Sequence, residues 1–335
     1  MMLSSITPAA VAFPIAALAA LVASFVLVQR IERLAGRLGL SESMLGLLVA
    51  LAADSPEITS AVTASARGNT SIGAGVVLGS NVFNLAALLG LGAIVAHRIY
   101  LHRKVVILEG TAAIWVALVT LAVVVAGGGA TIGLVLVLAV VAAYIAASNF
   151  SAPRLRRMGL SRRVVAWLHQ AVHEEELELS AGIRPAPSGR LDVVVGVGSL
   201  LAVVASSMVM ERSAETIGRH FHLSDLVVGG LILAAVTSLP NAVGAVFLAT
   251  RGRGSAVLSE AMNSNMLNVV IGLLLPAIFL GLAGASGSGT LVAAWYVGLT
   301  VLCLVMAYAK RGLSRAGGLL IVVAYLAFVV VAATM

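Results

Sequence analysis

Asp54 and Glu57 stand three residues apart inside the apolar stretch ALAADSPEITSAV, residues 50–62, with Pro56 between them. A charged side chain at the centre of a membrane helix costs about 2.5–3.5 kcal/mol on insertion scales. Two carboxylates beside a helix breaker therefore need a purpose. At i and i+3 they share one helix face. Pro56 has no N–H to donate to the carbonyl of Ala52, and its ring opens the turn there. Carboxylates beside bare carbonyls, with Ala52 and Ala53 as the candidates, make a hard-oxygen site. Such a site suits Ca2+ or Na+ rather than a thiolate-seeking metal.

A second copy of the pattern follows. Arg67-Gly68 matches Arg251-Gly252, Ser80-Asn81 matches Ser264-Asn265, and Asn84 matches Asn268, all at an offset of 184 residues. The same offset sets Pro56 on Pro240 and Glu57 on Asn241. Around Pro240, which frees the carbonyl of Val236, the residues Thr237, Ser238 and Asn241 are uncharged oxygen donors. Ser80 with Asn84, and Ser264 with Asn268, add further donors at i and i+4. Proline-interrupted helices at corresponding positions of a repeat point to a midplane site between the halves.

The elements that must position these residues are membrane helices. The 335 residues are 60% hydrophobic and only 10% charged, against about 25% charged in a soluble domain. Apolar runs of spanning length recur along nearly the whole chain, without the alternating short strands of a barrel. Ten spans are expected, near 8–29, 41–66, 70–95, 104–126, 130–149, 191–212, 224–250, 255–283, 289–309 and 314–334. The expected fold is thus an all-α polytopic membrane protein. Two five-helix repeats, 1–149 and 191–335, would flank a cytosolic linker, 150–190, which ends in the Pro/Gly/Ser-rich GIRPAPSGR. An odd number of helices per half sets the halves in opposite orientations, an inverted repeat.

Charge fixes the expected orientation. With the 150–190 interval inside, 18 of the 21 Lys and Arg fall in inside loops, and only Arg67, Arg212 and Arg219 fall outside. Both termini are then outside. The first apolar run lacks a positive leading region and is followed by Arg30, Arg33 and Arg37. It reads as a spanning helix rather than a cleaved signal. The net charge of +7 belongs to these loops and does not imply a nucleic-acid partner. Cys303 is the lone cysteine, so no internal disulfide is possible.

Both halves resemble the alpha repeats of the cation/Ca2+ antiporter superfamily, which includes Na+/Ca2+ and H+/Ca2+ exchangers. Those repeats typically read GTSLPE followed by GSNIFN. Here they read AADSPE with GSNVFN, then VTSLPN with NSNMLN. The resemblance implies the following ligand set. Glu57 matches the family's first glutamate. Asp54 stands where the family has a ligating serine, and Ala53 where it has a threonine. Thr237 and Ser238 match directly, and Asn241 stands where a second acid is expected. Ser80 with Asn84, and Ser264 with Asn268, match the neighbouring helices' pairs. Ala50 and Ala234 match backbone-carbonyl positions. The departure is that both carboxylates lie in the first repeat. Two charges suffice to neutralise one Ca2+; one charge would favour a monovalent cation. Two carboxylates this close also make proton coupling an open alternative.

Glu109, early in the fourth span, reads as interfacial rather than as a proton relay. Glu260 reads either as an entry-path carboxylate or as a solvated charge near a loop. His169 and His173, at i and i+4, read as a solvated face of a short cytosolic helix, like the acidic run from Glu174 to Glu178. No phosphate-binding G-x-x-x-x-G-K-[ST] is present, so ATP-driven pumping is not expected. No H-E-x-x-H or G-x-S-x-G supports a membrane hydrolase. The expectation is a secondary-active antiporter, not an enzyme and without cofactors. It would exchange Ca2+ for Na+ or H+ across a limiting membrane, and the composition suggests a bacterial plasma membrane. A monovalent cation/proton exchanger and a passive channel are the alternatives. Its oligomeric state is not expected from sequence.

Overall fold

The computed structural model describes residues 3–38, 48, 50–180, 189–282 and 286–335, and the side chains of 3–5, 32, 35–38, 147–149 and 173–180 lie outside that set. Apart from one two-stranded ladder, its regular structure is helical. Helix α1 is Leu3–Leu38 and α2 is Ser55–Ala66. They are followed by α3 (Thr70–Val95), α4 (Arg103–Ala126) and α5 (Ala130–Asn149). After the short α6 (Ala152–Arg157) and α7 (Arg162–Ser180), the second half runs through α8 (Arg190–His220), α9 (Leu226–Thr237) and α10 (Leu239–Thr250). It ends with α11 (Gly254–Leu280), α12 (Gly287–Lys310) and α13 (Arg315–Ala333).

Seven of these helices are long and apolar enough to cross a membrane: α1, α3, α4, α8, α11, α12 and α13. Helices α9 and α10 together have the length and hydropathy of a further span, with a 46° bend at the break between them. The expected fifth span is the shorter apolar Ala130–Ala146. The expected second span is described only at residue 48 and from residue 50 onward. The protein is an integral, multi-pass helical membrane protein.

Burial sorts the helices. Helix α3 is 89% buried along its apolar window, whereas α1 and α8 are only 28% and 22% buried. The latter two, 36 and 31 residues long, pack along each other at the periphery and are tied by Arg30 to Asp192 at 2.8 Å. Around α3 pack α2, the broken α9–α10, α11, α12 and α13.

Small residues let the backbones approach, as membrane helices require when apolar burial alone gives no driving force. A Cβ on Gly79 of α3 would lie 2.1 Å from the carbonyl oxygen of Gly230 in α9. Backbone on both sides leaves nothing flexible to yield. Gly79→Ala is therefore expected to cost about 3 kcal/mol, the upper end for overpacking. It should lower the thermal midpoint of the detergent-solubilised protein, measured against wild type.

Wide π-helical turns follow the 184-residue offset as well: Leu85–Leu91 in α3 corresponds to Asn268–Leu274 in α11 within one residue. Such turns cluster at functional sites in helices, and each of these begins at or immediately after Asn84 or Asn268.

The loops sort by charge. Strands β1 (Arg98–Tyr100) and β2 (Gly312–Ser314), which the hydropathy pattern does not signal, pair antiparallel with Ile99 opposite Leu313. Gly254 abuts the carbonyl oxygen of Tyr100 closely enough to exclude a Cβ. The loops holding Arg98, Arg251, Arg253, Lys310 and Arg311 thus share one end, the basic end. At the opposite end Arg67 meets Glu211 at 2.8 Å and Glu215 at 3.1 Å. Arg219 also pairs with Glu215, so two of the three exceptional cations are neutralised in place. Within the 150–190 interval, α7 has a packed face. Trp167, Leu168, Ala171 and Val172 of α7 pack against Leu108 of α4 and Tyr144 of α5. His169 is half-buried rather than on a solvated face, while His173 and the acidic run from Glu174 to Glu178 have side chains outside the described set.

Candidate cation-binding site

The two proline breaks are copies of one another. Asp54 and its counterpart Ser238 both sit at the hinge residue, with φ/ψ of −77/−6 and −84/−1. In each, the hinge N–H bonds back to a carbonyl four residues earlier, Ala50 at 2.8 Å and Ala234 at 3.2 Å. The hinge carbonyl then accepts from Ile58 or Ala242 on the far side. Proline at the first turn of α2 and of α10 is pre-set for helix and loses no needed bond.

The side chains at the first break turn inward. Asp54 and Glu57 are both fully buried. Asp54 Oδ1 accepts from Asn241 Nδ2 at 2.6 Å and from Ser264 Oγ at 2.6 Å. Glu57 Oε2 accepts from Asn268 Nδ2. Each first-repeat acid is therefore held by second-repeat residues, which joins α2 to α10 and α11 across the pseudo-symmetry axis. On that axis Asn81 Nδ2 donates to the carbonyl of Asn265, and Asn265 Nδ2 donates back to the carbonyl of Asn81, both at 3.1 Å. Asn84 Nδ2 reaches Ser264 Oγ at 3.1 Å and Asn265 Oδ1 at 3.2 Å.

Several of the expected hydroxyls also bond within their own helices. Ser80, Thr237 and Ser238 are buried, but their hydroxyls donate to backbone carbonyls of their own helices, at 2.6–2.8 Å. Their second lone pairs remain available to a ligand. The carbonyl of Ala52 is not bare: it accepts from Ser55 Oγ at 2.6 Å and from Ser24 Oγ at 3.3 Å, and Ser24 also reaches the carbonyl of Ala53 at 3.4 Å. Hydroxyls thus take the place of the missing Pro56 N–H, because a buried carbonyl left unpaired is costly. Ala234 likewise accepts from Ser238 and Thr237. Val236 lies in the last turn of α9 before the hinge.

What remains unpaired is informative. Asp54 Oδ2, Glu57 Oε1, Asn84 Oδ1, Asn241 Oδ1 and Asn268 Oδ1 are buried oxygens without a hydrogen-bond partner. Buried polar atoms are normally satisfied, and each exception needs a reason. These five oxygens all lie on residues that the sequence singled out and that meet around the two hinges; the other unpaired buried atoms among the described residues belong to Arg30, Ser60, His169, Ser207, Glu211 and Glu260. A hard cation bound by oxygens satisfies several of the five at once. Ser60 Oγ, one turn beyond Glu57, is a further unpaired buried oxygen that no pattern had signalled. Asn81 and Asn265 were visible through the 184 offset but not as a reciprocal pair; Ser24 carried no signal in its apolar run.

The two outlying acids differ in their surroundings. Glu109 is not interfacial: it is buried, and its Oε1 accepts from Tyr144 at 2.8 Å and Ser259 at 3.2 Å, which fastens α4 to α5 and α11. Glu260 is half-buried, with its Oε2 buried and unpaired.

The profile of the family described as sodium/calcium exchanger protein matches residues 8–152 and 191–334. Among curated proteins, CaxA of Alkalimonas amylolytica is 24% identical over 308 residues, covering 88% of this chain and 89% of its own. The sodium/potassium/calcium exchanger 1 of Mus musculus is 29% identical over 103 residues, and the match spans only 9% of that longer protein. Among solved structures, the H+/Ca2+ exchanger CAX superposes with a TM-score of 0.71 at 13% identity, covering 96% of this chain and 82% of that one. The sodium-calcium exchanger NCX_Mj gives 0.59 at 20% identity over 97% of this chain and 99% of that one.

Proposed function

Because the chain belongs to the sodium/calcium exchanger family of cation/Ca2+ antiporters, we infer that the site between its hinges carries Ca2+ in exchange for Na+ or H+. The observation that carries this reading is the set of unpaired buried oxygens on Asp54, Glu57, Asn84, Asn241 and Asn268. Two carboxylates match the charge of one divalent cation, and amide and hydroxyl oxygens complete a shell of the six to eight ligands that Ca2+ takes, roughly 2.3–2.6 Å away. Ser80, Thr237, Ser238 and Ser264 supply the hydroxyls. Transport proceeds by alternating access, with the halves rocking about the fixed site.

In this reading residues 1–149 and 191–335 are the two transport repeats, and 150–190 is a cytosolic segment whose helix α7 packs on α4 and α5. The basic end faces the cytoplasm, both termini face outward, and the membrane is a bacterial plasma membrane. The gathering of Arg98, Arg251, Arg253, Lys310 and Arg311 at one end supports that orientation.

Liposomes containing the purified protein, assayed for 45Ca2+ uptake against Na+ gradients, pH gradients and no gradient, test the reading. Uptake is expected only with a counter-ion gradient. Flux without a counter-ion would make the protein a channel. Absence of Ca2+ flux under every gradient, with 22Na+/H+ exchange intact, would make it a monovalent exchanger.

A further inference from the structure

Asn241 lacks the charge that the second repeat would otherwise bring to the site, and a third carboxylate lies one helical turn away. Helices α10 and α11 run antiparallel, and Asn241 Nδ2 meets Ser264 Oγ at 3.2 Å. One turn nearer the basic end, the same register sets Gly244 of α10 against Glu260 of α11. A Cβ on Gly244 would lie 3.1 Å from Glu260 Oε1. Glycine thus leaves the space that this carboxylate occupies. Glu260 shares a helix face with Ser264 at i and i+4, and Ser264 Oγ in turn donates to Asp54 Oδ1 at 2.6 Å. Among the described residues no Lys or Arg pairs with it, and its buried Oε2 has no hydrogen-bond partner. The residue itself is half-buried, whereas Asp54 and Glu57 are fully buried.

We propose that Glu260 is an inner-side cation-binding residue, which with the unpaired Asp54 Oδ2 and Asn241 Oδ1 receives a hard cation arriving from the basic end before it passes to the Asp54–Glu57 site. This deepens the transport reading above and rests on it. An unpaired carboxylate in a low-dielectric cleft concentrates cations locally and speeds their arrival, by a factor that falls with ionic strength. The effect is confined to one side of the membrane. A residue that merely supported the fold would change both sides alike.

The test uses the full chain in liposomes, with sidedness assigned by an impermeant label. KM is measured for 45Ca2+ and for 22Na+ presented at each end. Glu260→Gln is expected to raise KM roughly tenfold at the basic end, to leave KM at the other end unchanged, and to flatten the salt dependence at the basic end. Glu260→Asp should recover part of the loss. Gly244→Ala keeps the acid but crowds it, and should show a smaller rise on the same side. It also serves should Glu260→Gln fail to fold. An equal shift on both sides, or none on either, overturns the proposal. Wild-type protein that carries Na+ but no Ca2+ sinks the Ca2+ reading alone, because the one-sided effect is then read with 22Na+.

Discussion

Glu57→Gln is expected to abolish exchange, with 45Ca2+ uptake below about one hundredth of wild type, while the protein remains folded. The substitution is nearly isosteric. Its amide oxygen can still accept from Asn268 Nδ2, so α2 keeps its tie to α11. What is lost is charge. Ca2+ affinities range over about six orders of magnitude with ligand charge and site rigidity, and a hundredfold loss corresponds to about 2.7 kcal/mol. Glu57 is fully buried, so solvent cannot replace the missing charge. Ca2+/Ca2+ self-exchange, which needs binding and alternating access but no counter-ion, should fail together with coupled exchange. If self-exchange survived while coupled exchange failed, Glu57 would handle the counter-ion and not Ca2+. A thermal midpoint within a few degrees of wild type separates either result from misfolding.

How far the site could be read from sequence depended on whether a residue's role is local. Pro56 and Pro240 constrain their own backbone, so the hinges were legible, and the 184 offset that pairs them reappears in the hinge dihedrals and in the reciprocal bonds of Asn81 and Asn265. Spacing along one helix also placed Asp54 with Glu57 on a buried face. The partners across helices were not legible. That Asn241 donates to Asp54, or that Ser24 covers the carbonyls opened by Pro56, depends on which helices touch and at what height. Hydropathy leaves that undetermined, since every span is apolar. Glu260 shows the same limit: distance from a loop suggested solvent, but a glycine on a different helix decides where its carboxylate goes. The β1–β2 ladder escaped because three-residue strands carry too few residues for a period to be seen.

Exchanging the side chains of Asp54 and Asn241 is expected to restore most of the transport that Asp54→Asn loses. Asp54→Asn alone leaves a single carboxylate, Glu57, in the buried site, and should lower apparent Ca2+ affinity about tenfold to a hundredfold. The partner of Asp54 is Asn241, whose Nδ2 lies 2.6 Å from Asp54 Oδ1. Asparagine and aspartate are isosteric, so in the double variant Asp54→Asn, Asn241→Asp the same two groups face one another with donor and acceptor reversed. The charge moves by about one hydrogen-bond length and returns to the second repeat. Asn241→Asp alone sets two carboxylates in contact and should make the thermal midpoint depend more steeply on Ca2+, because like charges that close need a shared cation. The double-mutant cycle isolates the coupling between the pair. Recovery to within about tenfold of wild type means that the site counts charge at this contact. A double variant no better than Asp54→Asn means that Asp54 acts through its position at the α2 hinge. Asp54→Ser, which gives the hinge the same residue as Ser238, then shows whether any charge is needed there.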